Sequence, residues 1–476
     1  MRRYTSVVTG LVTVLLLGSL GRCTTAQEDA EGERLFLAAC ASCHQLPDPT
    51  DLPQATWDTI ILPRMREFMA DVTPLRTTGY TDAEWVSIRR YLLHNAPDAL
   101  TLPDMPVVGT APFRARFTET FMSPPSTSYV EILPGRGLLA ADINKERLWV
   151  YDSALVARRE LTTGPGVTDI STYAGVSYAT VLGSFTPTDD IVGALVRIDA
   201  EGVTLLHQGL RRPTTLLAMN TDGDAEPEFV VTEYGRWEGA LKLYDLQADG
   251  SYRAEVLGAQ TGAVSVLQES DSTLLVLYAQ GNESLVRYTL GAQGFRERQV
   301  LQFPPSYGSV AIHLVDWNGD GRRDLLYVNG DNADYRPVVK PYHGLRIFLA
   351  GADGDYTEEL FLPVPGAYDA VATDLDGDGS LELAAISFFP DYRQQEPLAA
   401  VVFRRSEGKW QRYRLPASDK GRWVCLSAGD LDGDGDTDLV AGSLSMQPVP
   451  DRGQLGSWVT NGLPFILWEN RGMGWE

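Results

Sequence analysis

The chain has 476 residues, 44% of them hydrophobic, which is enough for two or three domains and a sizeable core. Its formal net charge of −23 argues against nucleic acid as a partner, because phosphate is held by clustered Lys and Arg. The same acidity suits a protein that holds cations or meets a basic partner.

Arg2 and Arg3 precede an apolar run from Val7 to Leu20. Together they read as a secretory signal peptide over residues 1–26, with cleavage after Ala26. The run is too short, and turns polar too soon, for a membrane span. Cys23 offers a lipid-attachment alternative; Leu20 suits it, whereas Arg22 stands where a small residue is usual. The expected location is periplasmic or cell-surface, with membrane attachment only through such a lipid.

Cys40-Ala41-Ser42-Cys43-His44 follows. C-x-x-C-H is the attachment run for one covalent haem c: two thiols take the vinyl groups and the adjacent imidazole takes the iron. A structural zinc site needs about four ligands, and no second Cys or His pair is near. A thioredoxin-like pair would want a βαβ setting, and none is visible. Of the four cysteines, two go to the haem, Cys23 is removed or lipidated, and Cys425 lies in an apolar run as a small buried hydrophobe.

Residues 28–105 read as a small all-α module. A helix from Glu31 to Leu46 carries the motif in its last turn and is stopped by Pro47 and Pro49. A second pattern, Gln54 to Ala70, puts Trp57, Ile60, Ile61, Met65, Phe68 and Met69 near one face, and Pro63 should kink it. Thr81 and Glu84 form a capping box for a third helix through Trp85, Ile88, Tyr91 and Leu92. Three short helices with C-x-x-C-H resemble the class I cytochrome c fold. The run from Trp57 to Met65 resembles a segment that follows the motif in cytochrome domains fused to propellers. That resemblance implies Met65 as distal iron ligand, with Met69 as alternative and His94 third.

Residues 106–128 carry Pro106, Pro112, Pro124 and Pro125 and read as a linker. Beyond it, short β-type runs alternate with Gly and Asp turns. One acidic loop recurs. Its copies are Asp430, Asp432, Asp434, Asp436 and Asp438; Asp374, Asp376, Asp378, Ser380 and Glu382; and Asp316, Asn318, Asp320, Arg322 and Asp324. A less complete fourth has Asn220, Asp222, Asp224 and Glu228. The copies lie 56, 58 and 96 residues apart, the last being twice 48. The midpoint near Gln268 looks like a repeat that has lost its loop. Asp142-Ile-Asn144-Lys-Glu146 is placed at the equivalent point upstream, with one more unit near Tyr178 to Gly183. Seven units of propeller length result.

Residues 129–476 thus resemble the FG-GAP/VCBS repeat family, the seven-bladed all-β propeller of integrin α heads. The last repeat is one strand short. A strand within residues 113–120, or Tyr129 to Leu133, is expected to close the ring and remove its open edges. Glycines between the carboxylates fold each loop tightly, so that positions 1, 3 and 5 converge on one ion. Position 9 adds a carboxylate, and the backbone carbonyls of Asp436, Ser380 and Arg322 add an oxygen at position 7. All-oxygen sites of this kind suit Ca²⁺. An EF-hand is excluded, since its position-12 Glu is Ala441 or Ala385 here. Three ions are expected, with a fourth at the less complete loop, and in this family they look structural.

The expected molecule is therefore multidomain: an exported c-type cytochrome passing single electrons, carried on a calcium-stabilised propeller. The propeller would bind a protein or carbohydrate ligand, and the redox partner is an unspecified protein. No catalytic residues are assigned. The alternative is a haem-dependent oxidoreductase whose propeller holds a substrate or second cofactor. In that reading Tyr335, Arg336, Lys340, Tyr342, His343, Arg393 and the run Phe388 to Tyr392 could line a site.

Overall fold

The computed structural model describes residues 29–42, 44–71, 80–224, 226–332, 337–445, 453–472 and 475. The signal-peptide reading, Cys23, Cys43, Tyr335, Arg336 and the side chain of Phe68 lie outside the described residues. The chain divides into two compact units, Met1–Thr101 and Leu102–Glu476.

The described part of the first unit is helical. Residues 29–40 form its first helix, which ends at Cys40 and not at Leu46 as expected. The Ser42 hydroxyl takes the Ala39 carbonyl at 2.7 Å, a local bond that competes with helix propagation. Asp48 then caps a short 3₁₀ turn, Pro49–Asp51. The second helix runs α over Gln54–Thr56, π over Trp57–Ile61 and α again over Leu62–Asp71. The wide turn lies immediately before Pro63. There the Leu62 N–H reaches back to the Trp57 carbonyl, and the π bulge makes room for a ring that would clash in a regular helix. The third helix, Asp82–Asn95, begins with the expected capping box of Thr81 and Glu84.

Leu35, Phe36, Ala39, Trp57, Ile61, Leu62, Ile88 and Leu92 are buried among these helices. The first and third helices cross at Gly32, where an added Cβ would stand 2.7 Å from the Ser87 carbonyl oxygen. Phe36 and Tyr91 pack beside the crossing with ring centroids 5.4 Å apart. Gly32→Val should cost about 2 kcal/mol by forcing the helices apart. The helical circular-dichroism signal would then melt earlier, while the β signal keeps its midpoint.

The second unit is a seven-bladed all-β propeller. Five blades take four consecutive strands each, starting at Thr127, Val167, Pro213, Ala263 and Ser309. The sixth runs from Ala367 to Arg414 and gains a fifth strand, Val107–Thr110, parallel to Lys409–Arg414. The seventh has only three late strands, Trp423–Gly429, Asp438–Ser443 and Phe465–Asn470. Its fourth is Phe113–Arg116, antiparallel to the last. The expected closure is therefore made by the earlier of the two candidates, and Thr127–Leu133 is instead the innermost strand of blade one. The Pro-rich segment is more than a linker: both of its strands pair, because the prolines fall outside them.

Residues in the second strand of a blade are buried on both faces, as in Asp324–Asn329, Glu382–Ser387 and Asp438–Ser443. Their continuous apolar runs reflect a blade packed between two neighbours. Seven apolar clusters each join one blade to the next. The cluster of Val130, Leu138 and Tyr151 with Val440, Phe465 and Leu467 joins the last blade to the first.

Polar clasps add to these seams. Glu283, 2% exposed, accepts the Ser309 N–H of the next blade at 2.8 Å. Burial raises its pKa to about 7, against the pull of Ser309 and Gly281 donors. Its contribution to stability is thus full below the unfolded value near 4.5 and is lost as pH rises through 7. Glu283→Gln should remove roughly 3 kcal/mol of decline between pH 4.5 and 8. Denaturant unfolding at several pH values would show a flatter profile.

Candidate functional sites

The four acidic loops all join the first strand of a blade to the second, in blades three, five, six and seven. They therefore share one face of the propeller. Blade four joins the same two strands by a tight turn after Ser270, so its loop is indeed missing. The segment Asp142 to Glu146 was placed one strand out of register: it links the second and third strands of blade one. Asp142 is buried there and accepts from Ser126 and Lys145, an acid-headed turn that imitates the repeat.

Each loop is built by the same short bonds. The first side chain accepts backbone N–H groups of the glycines: Asp430 from Gly433 and Gly435, at 2.7 and 3.1 Å, and Asp374 from Gly377 and Gly379, at 2.7 and 2.9 Å. Gly433 and Gly435 have φ of 85° and 95°, a conformation open to glycine and strained for other residues. Position 9 heads the second strand, is buried, and reaches back to the N–H of position 2. Asp438 meets Leu431 at 3.1 Å, Glu382 meets Leu375 at 2.8 Å, Asp324 meets Trp317 at 3.0 Å, and Glu228 meets Thr221. The sequence reading gave position 9 only a role on the ion. An acid opening an otherwise apolar strand was the available signal for this second, anchoring role.

Three carboxylate sets converge, with ligand oxygens all within 4.8 Å of one another: Asp222, Asp224 and Glu228; Asp374, Asp376 and Glu382; Asp430, Asp432 and Asp438. Oxygens bound at 2.3–2.6 Å to one Ca²⁺ lie at most about 5 Å apart. Position 5 is outside the set in two loops; Asp378 and Asp434 accept N–H groups of Ser380 and Asp436 at 2.7 and 3.0 Å, the bond that Asp224 also makes with Glu226 at 2.8 Å. The convergence has an electrostatic cost. Burial, then repulsion from Asp376, Asp378 and Asp374, lifts Glu382 to about 7 against the Leu375 donor. Burial with repulsion from Asp432 and Asp434 lifts Asp438 to about 6 against the Asn470 and Leu431 donors. Arg404 offsets part of the charge at 2.6 Å from Asp376.

The loop at 316–324 differs. The Arg322 guanidinium pairs with Asp320, and its Nε donates to the Ala350 carbonyl at 2.7 Å. Both oxygens of Asp324 are engaged by the N–H groups of Trp317 and Ala350. Among the described residues this loop gathers no set of three carboxylates, whereas the less complete loop at 220 does.

In the helical unit, Cys40 closes its helix and His44 follows half-buried. His44 Nδ1 lies 2.6 Å from the Gln45 carbonyl oxygen. A carbonyl only accepts, so Nδ1 carries the proton, and in the neutral tautomer with that proton the lone pair is on Nε2. Met65 and Met69 stand one turn apart on the helix Leu62–Asp71, both half-buried. His94 is exposed at the end of its helix.

On the opposite face of the propeller, the polar aromatic insertion turns inward. The Lys340 ammonium is buried on the Ser306 carbonyl, and Arg346 lies over Tyr307 and Phe361 at 4.6 and 4.2 Å. His343 is 1% exposed, and burial beside Lys340 and Arg346 drives its pKa well down. Arg393 pairs with Asp391 at 2.7 Å. Lys340, His343 and Arg346 pack the blade, whereas the Arg393 side chain is 64% exposed; among the described residues they form no open catalytic cluster.

No protein-family model matches the sequence, and no curated protein matches it. Solved structures of similar fold include a streptogramin B lyase, at 13% identity and TM-score 0.49, covering 75% of this chain and 97% of the other. Virginiamycin B lyase from Staphylococcus aureus is similar at 12% identity and TM-score 0.47, covering 75% and 98%. The β-propeller domain of Cps50 (Swd1) from Myceliophteria thermophila is similar at 12% and 0.44, covering 68% and 96%. Likeness at this level concerns propeller architecture alone, and the activities in those names belong to those proteins.

Proposed function

We propose that the chain is an exported c-type cytochrome that passes single electrons, carried on a propeller whose acidic loops hold calcium. The observation that carries the first half is the C-x-x-C-H run at the end of a helix, with His44 held by Nδ1 so that Nε2 is open to a metal. Cys40 and Cys43 would hold the haem c, which supplies one-electron exchange when bound. Met65, or Met69 one turn on, would offer a thioether on the distal side. The buried residues Trp57, Ile61 and Leu62 on that helix would keep water from the iron's surroundings.

The second half rests on the three carboxylate sets. Calcium would relieve the repulsion that lifts Glu382 and Asp438. We place the ions at the loops at 220, 374 and 430, with Arg322 supplying the positive charge at 316. The propeller's outward loops would present a binding surface for a protein or carbohydrate partner. The direct test is elemental and chromophore analysis of the full chain matured in a host that attaches haem c. One covalent haem and three calcium ions per chain are expected. A colourless polypeptide after denaturation would overturn the cytochrome reading, and calcium below one per chain would overturn the other.

A further inference from the structure

His343 stands where blade five hands the chain on to blade six. It precedes the third strand of blade five, Gly344–Ala350, and its carbonyl accepts the Val364 N–H at 3.0 Å, just past the fourth strand, Tyr356–Pro363. The Val364 carbonyl in turn accepts the Ala367 N–H at 3.1 Å, where blade six begins. The backbones are close there. An added Cβ on Gly344 would stand 2.1 Å from the Leu362 carbonyl oxygen, and one on Gly330 2.2 Å from that of Ala367.

The imidazole in this joint has nothing to hold. It is 1% exposed, and Nδ1 and Nε2 are both buried without a hydrogen-bond partner among the described residues. Its ring neighbour is Tyr342, edge-on at 5.7 Å. The charges that act on it are positive. One is the Lys340 ammonium, bonded to the Ser306 carbonyl at 2.9 Å; the other is the Arg346 guanidinium, bonded to Asn329 and to the Tyr342 carbonyl. Glu358 reaches Arg346 at 3.4 Å with a side chain 47% exposed, so water shares its charge. A neutral ring fits among these groups, whereas a third buried cation does not.

We propose that His343 is an acid-sensitive joint: neutral, it lets blade five close on the crossing to blade six, and protonated it leaves its place and frees the Val364 bond. Burial and the two cations drive its pKa well below the ordinary 6.5. Its contribution to stability is therefore full above 6.5 and is lost as pH falls below that value. The other seam of blade five responds the opposite way, because the Glu283 clasp on Ser309 holds best in acid. Acid thus loosens blade five on one side only.

Hydrogen exchange of the full chain at pH 7.5 and pH 5.0, corrected for intrinsic rates, tests this. In wild type the opening constant of peptides spanning 344–350 and 362–367 should rise about thirtyfold, a factor of about ten for each pH unit below 6.5. In His343→Phe the rise should be under about threefold. Its thermal midpoint at pH 7.5 should be unchanged or higher, because two unpartnered polar atoms are gone. Peptides from blade one, such as Gly137–Asp142, should respond alike in both proteins. The same rise in His343→Phe, or no rise in wild type, would overturn the proposal. A second reading needs no change at this position. With ¹⁵N-labelled histidine, and the other four imidazoles assigned by substituting His44, His94, His207 and His313, the remaining ring should stay neutral in the folded protein at pH 5.5. A protonated ring there would overturn it as well.

Discussion

If the acidic loops hold calcium as proposed, chelating it from the purified protein should lower the melting midpoint of the propeller by about 10–15 °C. At calcium a hundredfold above the dissociation constant, each site adds about 2.7 kcal/mol to stability. Three sites add about 8 kcal/mol, and for a unit of this size each kcal/mol moves the midpoint by about 1.5 °C. The loops are the right place for such an effect. Their position-9 carboxylates are buried at the head of the second strand, so relief of repulsion there is felt in the core. Asp432→Asn should remove about a third of the shift and one bound ion. Arg322→Ser should add one ion, because it withdraws the guanidinium from Asp320. Scanning calorimetry with and without chelator, with bound calcium counted, reads all three. A shift below about 2 °C on chelation would leave the loops as solvated turns.

Cys40→Ser combined with Cys43→Ser should abolish the covalent chromophore, a loss of more than a hundredfold in haem-stained intensity on a denaturing gel. His44→Ala should keep little or none of it, since in the proposed attachment the imidazole would hold the iron. The two methionines separate by ligand access. Removing the true distal ligand would open the iron of the proposed haem, so that variant should take up added cyanide rapidly while the other resembles wild type. Met65→Ala is expected to be the open one. Rapid uptake by Met69→Ala alone would move the assignment one helical turn. Equal slow uptake by both would exclude either thioether as ligand.

Much of the propeller was legible because its signals are local. Glycines in a left-handed turn, acids at alternate positions and a following apolar run mark one strand pair wherever they occur. Spacing then counted the blades even where the loop was gone, as between Ser270 and Thr273. Register within a blade was less legible. Asp142 was matched to the wrong turn because it too sets an acid against an apolar run, and only pairing separates the first turn from the second. The strand Val107–Thr110 was missed because a parallel partner about 300 residues away leaves no mark on its own neighbourhood. The charge substitution at Arg322 was written in the sequence as an Arg among acids. Its meaning depended on the side chain folding back onto Asp320 and not out to solvent. The end of the first helix was misjudged for a similar reason: Ser42 has an ordinary place in a helix until its hydroxyl claims a carbonyl.

The seventh blade also sets a timetable. Phe113–Arg116 leaves the ribosome more than 340 residues before Phe465–Asn470, the strand it must join. At typical synthesis rates that is a wait of roughly 20–70 s. Throughout it, that strand has no mate and the nascent sheet has two raw borders, each a template for a stranger's backbone. A chaperone's hold on the early ribbon, or delivery of the whole polypeptide unfolded, would cover that interval. Either way, the arc becomes a circle only when its last-made strand meets one of its first.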